Sequence, residues 1–225
     1  FIFVLTLNFK LQTLNCFSQQ STLYSQYMFN LFTLNPAYAG SRQSASGVLV
    51  HRNQWVGMNG SPKVGSFSFH TPVSGKKVAL GFNMFRDHIG PSNKVGVFAT
   101  YAYHLPLPAG KLSMSLRGGV YRYRLFSDRL DFKEKADPAG MVDNIFMIPS
   151  FDFGLYYYTK TLFAGLSVLH LTNDQSGYKS NDFLYTGITR QFIGVAGRAF
   201  VISDDLVLKP SVNLRYADGQ PVNAD

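Results

Sequence analysis

The side chains best equipped to bind metal or move protons in this sequence are five histidines: His51, His70, His88, His104 and His170. They are scattered over separate segments, and their spacing brings no two or three together as a metal site requires. His104 and Ser113 would neighbour each other on adjacent strands, an arrangement that could serve acyl transfer. That chemistry also needs a third group to orient the base, and none is apparent. Asp131, Glu134 and Asp137 could offer carboxylates to calcium, but Lys133 and Lys135 lie between them and the spacing is not that of an EF-hand loop. No GxSxG, Walker A, HExxH, paired CxxC or GxGxxG stretch occurs. The sequence predicts no enzyme, no cofactor and no metal.

What remains is a set of basic and amide side chains, and the elements that carry them explain their pattern. In Leu206–Ala217, Leu206, Leu208, Pro210, Val212, Leu214 and Tyr216 alternate with Val207, Lys209, Ser211, Asn213, Arg215 and Ala217. Leu112, Met114, Leu116 and Val120 likewise alternate with Ser113, Ser115, Arg117 and Tyr121. A period of two is the signature of a strand with unlike faces. Further segments cover 47–52, 64–70, 77–84, 95–105, 151–158, 162–171 and 191–202, about nine strands in all, with no apolar stripe of helical period.

The expected fold is all-β, a transmembrane antiparallel up-and-down barrel over residues 45–225. Short connections (71–76, 105–110, 159–161, 203–205) alternate with longer ones (53–62, 87–93, 127–149, 172–182), as in outer-membrane barrels, where tight turns face the periplasm. On this scheme Arg117, Lys209, Asn213 and Arg215 face the lumen. A pattern still running at Tyr216 suggests about 12 to 14 strands in the full protein, extrapolating from ~20 residues per strand and loop.

Composition agrees with this. The 225 residues are 46% hydrophobic, 15% aromatic and 15% charged, with a formal net charge of +8. Mean hydropathy is −0.01, so apolar residues are spread evenly along the chain. The positive charge is dispersed, not gathered on one helix or stripe, which argues against nucleic acid and suits a polar lumen or anionic surfaces. Tyrosines near strand ends suit a membrane interface.

The N-terminal part does not follow the strand pattern. Residues 1–20, opening FIFVLTL, read as a signal peptide that has lost its basic start. Asn15 before Cys16 speaks against lipid attachment. Residues 21–44 form a plug or cap segment holding Gln26-Tyr27-Met28-Phe29-Asn30 and Asn35-Pro36-Ala37-Tyr38-Ala39-Gly40. Its aromatic and amide side chains could fill or guard the periplasmic mouth of a wide barrel, with Pro36 and Gly40 turning the chain into the first strand.

The segment Gln26–Asn30 followed by Asn35–Ser41 resembles the opening of the PorP/SprF family of outer-membrane proteins of the Bacteroidota type IX secretion system. Arg52-Asn53-Gln54-Trp55, with Gly57, Gly60 and Pro62, continues the resemblance and includes the chain's one Trp. Leu31-Phe32 departs from the proline-containing variant of the first motif. The resemblance implies an outer-membrane barrel that exports or retains a secreted surface protein, such as a gliding adhesin bearing a particular C-terminal domain, or that links to periplasmic ring and motor components. It marks Gln26 to Asn30, Asn35 to Tyr38, Gly40, Arg52 and Trp55 as plug or partner-binding residues, with outer-membrane lipid, the secreted protein and the machine's periplasmic parts as partners. The alternatives are a porin-like channel for small polar solutes and a soluble extracellular β-sandwich.

Overall fold

The computed structural model describes residues 29–42, 44–73, 77–126, 144–172, 188–204, 206–217 and 221–225. The expected leader, Gln26, Tyr27, Met28 and the loop carboxylates Asp131, Glu134 and Asp137 lie outside the described residues.

Alternation along the chain produces strands β1 (Ser46–Asn53), β2 (Lys63–Pro72), β3 (Val78–Ile89), β4 (Ser92–Leu107), β5 (Gly110–Leu125), β6 (Asn144–Tyr158), β7 (Leu162–Leu169), β8 (Gln191–Arg198), β9 (Phe200–Ser203), β10 (Leu206–Leu208), β11 (Ser211–Ala217) and β12 (Asn223–Ala224). All but β9 and β10 join one antiparallel ten-stranded sheet in the order β1-β2-β3-β4-β5-β6-β7-β8-β11-β12. The protein is all-β, and each strand pairs with its sequence neighbour up to β8. Among the described residues β1 and β12 border the sheet and do not pair with each other.

Polarity is reversed relative to a water-soluble sheet. The covered face carries Ser68, Asn83, Thr100, Ser115, Arg117, Ser150, Asp152, Ser167 and Asn213, all buried. The opposite face carries Phe67, Met84, Tyr101, Leu116, Phe151, Leu166 and Leu214, all exposed; Leu116 is 62% and Leu166 65% accessible. An apolar face this extensive needs an apolar medium or partner. No described helix is long and apolar enough to cross a membrane.

The sheet is also strongly curled. Neighbouring strands lie ~4.8 Å apart, so β2 and β6 would be ~19 Å apart in a flat sheet. The Tyr38 ring nevertheless meets His70 of β2 at 5.7 Å and Tyr156 of β6 at 5.4 Å between centroids. One tyrosine can touch both only if the sheet wraps round it.

Three expectations need correction. The connection expected over 87–93 is instead a tight turn at Gly90–Pro91, because β3 runs to Ile89 and β4 starts at Ser92. Short and long loops therefore do not alternate strictly. Pro149 does not end a loop but sits inside β6, opposite Val120. β7 pairs only with Phe153–Tyr158, so among the described strands Pro149 is paired with β5 alone, and a strand edge tolerates a residue without an N–H. The expected strands 191–202 and 206–217 are each divided, at Ala199 and at Lys209–Pro210. Pro210 cannot donate to the ladder, and a register shift at Leu206/Val207 adds to the interruption. With β12 as a further short strand, the sheet has ten strands among the described residues where about nine were expected.

Candidate functional site

Residues 30–41 lie in the trough of the curled sheet. Leu31–Leu34 form a single α-turn, α1, and Pro36–Tyr38 a 3-10 turn. Asn35 separates them, with its own side chain accepting from Ala37 N at 2.9 Å. Pro36 supplies a fixed φ at the first position of the second turn. Gly40 has φ +72, where a Cβ would be strained, and it redirects the chain toward β1.

A helical turn this short leaves carbonyls without partners in its own backbone, and the wall supplies them. Arg117 Nη1 donates to Phe32 O (3.4 Å) and Thr33 O (3.0 Å). Ser167 Oγ donates to Leu34 O at 2.7 Å, and His104 Nε2 donates to Ala39 O at 2.9 Å. That contact leaves His104 Nδ1 as an acceptor for Tyr158 OH at 3.3 Å. His70 takes the same tautomer, since its Nδ1 accepts from Gly40 N at 3.2 Å. Asn35 Nδ2 donates to Leu155 O (2.9 Å) and Leu166 O (3.3 Å), tying the segment to β6 and β7. Ser68 Oγ donates to Asn30 Oδ1 at 3.1 Å.

Apolar contacts complete the seat. Leu31, Leu34 and Ala37 cluster with Tyr156, Phe163, Leu169, Ile193 and Val195. Phe32 and Ala39 meet Ala79 and Ala102. The wall is thinned where the segment presses closest. A Cβ on Gly81 would collide with the Phe32 ring, and one on Gly154 or Gly165 with the Asn35 side chain.

Behind the segment Arg117 Nε pairs with Asp152 Oδ2 at 2.6 Å, with 7% and 0% of the two side chains accessible. Asp152 Oδ1 also accepts from His170 N at 2.7 Å. Arg117 therefore bridges a wall carboxylate and two carbonyls of the segment. Beyond this pair, toward the Gly90–Pro91 end, the inner face is filled by Phe85, Phe98, Tyr121, Tyr123 and Ile148. Lys94 Nζ lies 4.6 Å from the Tyr121 ring centroid and 5.1 Å from that of Tyr123, a cation–π arrangement.

The residues singled out from sequence fall into three places. Asn30, Asn35, Pro36, Ala37, Tyr38 and Gly40 join the inner seat, while Phe29 at its start is 65% exposed. Arg52 and Trp55 lie at the far end of β1, about 20 Å from Ser46 at ~3.3 Å per residue. Trp55 is exposed and has φ +50, so the two halves of the motif do not converge. Of the lumen candidates, Arg117 and Asn213 are buried on the inner face and Arg215 is half-buried. Lys209 is exposed, with its Nζ 4.8 Å from the inward Phe163 ring. His104 and Ser113 are paired across β4 and β5, but both His104 ring nitrogens are engaged elsewhere, so the ring offers Ser113 no base.

Sequence reasoning missed Asp152, although a lone carboxylate between Phe151 and Phe153 was a usable signal. It also missed Gly81, Gly154 and Gly165, whose role depends on what they face. A family model described as type IX secretion system membrane protein PorP/SprF matches residues 16–225. No curated protein and no solved structure matches the chain.

Proposed function

The chain belongs to the PorP/SprF family of type IX secretion system membrane proteins, and from that premise we propose that it is a stoppered outer-membrane barrel that works by binding proteins. On this reading the exposed apolar face meets lipid, and residues 30–41 form a plug inside the wall. The plug's outer end, with Phe29 exposed, is presented to the periplasm, where it meets the C-terminal domain of a secreted surface protein such as a gliding adhesin or a periplasmic ring or motor component. The observation that carries the reading is the occupied interior. A segment clamped by Arg117, Asn35, Ser167 and His104 closes one half of the trough, and the aromatic layer around Lys94 fills the other.

A solute channel is the second reading. It is favoured by the inward Asn83, Thr100 and Asn213, whose side chains include atoms with no hydrogen-bond partner among the described residues.

Deleting Gln26–Gly40 and scoring both membrane insertion and export separates the two roles of the segment. An inserted deletion variant that no longer exports or retains the surface protein is the expected result. Normal export by a correctly inserted deletion variant would contradict a binding role.

A further inference from the structure

On β1–β5 the outward face changes character toward the Gly90–Pro91 end of the sheet, while on β6 the same rows keep exposed Met147 and Ile145. One row across neighbouring strands reads Leu49, Phe67, Met84, Val97 and Val120, all exposed and apolar. The next outward row reads His51, Gly65, Arg86, Val95 and Arg122, and the one after it Asn53, Lys63, His88, Asn93 and Arg124. Arg86, Arg122 and Lys63 are exposed and Arg124 is half-buried against Phe126. Arg86 is steadied by a 3.3 Å bond from its Nε to Asn93 Oδ1. Among the described residues, no Asp or Glu shares this outward face of β1–β5; Asp87 has the opposite parity and lies on the inner face. The belt therefore sets four cations, with Arg86 and Arg122 about 10 Å apart at ~4.8 Å per strand, directly above an apolar band.

We propose that this belt binds the phosphate groups of membrane lipids. The inference rests on the barrel reading above, in which the apolar band marks the hydrocarbon. The first basic row lies one outward step, ~7 Å, beyond that band, which is where headgroup phosphates begin. Arg and Lys at this level gain from anionic phosphate, and their stems can run back along the apolar rows. Contiguity with the lipid-facing band is what favours a lipid over an acidic protein segment, which would need no such border.

The test uses the purified protein in neutral detergent, with retained lipid counted by native mass spectrometry. The probes are bisphosphorylated lipid A, its dephosphorylated form and inorganic phosphate. Retention of the bisphosphorylated lipid is expected to exceed that of the dephosphorylated form at least tenfold. Arg86→Gln with Arg122→Gln should abolish the difference, Arg→Lys at both positions should largely restore it, and millimolar inorganic phosphate should not displace the lipid. Equal retention of both lipids, an unaffected Gln variant, or displacement by free phosphate would overturn the proposal alone. A protein that stays in the aqueous phase without detergent would overturn the barrel reading with it.

Discussion

At the scale of single residues, the polar contacts of the segment are hard to replace because they are buried. Arg117 neutralises Asp152, which has no accessible surface, and also holds two carbonyls of α1. Removing one partner of such a pair strands the other charge and costs about 3–5 kcal/mol. Arg117→Ala should therefore lower the urea midpoint of the purified protein sharply. Arg117→Met combined with Asp152→Leu should recover part of the loss, since an apolar pair of similar volume escapes the desolvation penalty while Phe32 O, Thr33 O and His170 N lose their partners. A double variant as unstable as the single one would show that the pair is not the cause. Asn35→Ala removes the donor to Leu155 O and Leu166 O and the acceptor for Ala37 N, for an expected loss of about 1–3 kcal/mol by the same assay. A change within error would mean that the amide is not seated as described.

Among elements, the segment and the wall are shaped for each other. Phe32, 1% accessible, occupies space that Gly81 leaves open, and Asn35 the space left by Gly154 and Gly165. Gly81→Val should push Phe32 out and expose 30–41 to limited proteolysis, whereas Gly47→Ala, whose new methyl meets only ordinary contacts, should leave the digestion pattern unchanged. Equal protection of Gly81→Val and the parent would argue against this seat. The strands themselves were legible, since Leu112/Ser113 through Val120/Tyr121 declare their two faces by alternation alone. The unusual character of 30–41 was legible too, but its position was not. Asn35 binds carbonyls 120 and 131 residues away, and a backbone acceptor leaves no mark in side-chain identity. The tight turn at Gly90–Pro91 was obscured because Arg86, Asp87 and His88 look like loop residues, although Arg86 and His88 belong to the basic belt and Asp87 to the inner face.

For the whole molecule, an inverted sheet, polar within and apolar without, is curled around residues 30–41. The curl follows from Tyr38 touching both His70 and Tyr156, and the inversion from buried Asp152 and Asn213 set against exposed Leu116 and Leu166. Such a sheet suits a membrane wall, and family membership assigns the protein to the outer membrane. On the barrel reading proposed above, residues 30–41 stop the lumen. Planar-bilayer conductance tests it most directly, comparing the intact protein with a variant lacking 30–41 whose insertion has been verified. A silent intact protein and steady conductance from the deletion variant are expected. Conductance of equal size from both would contradict it.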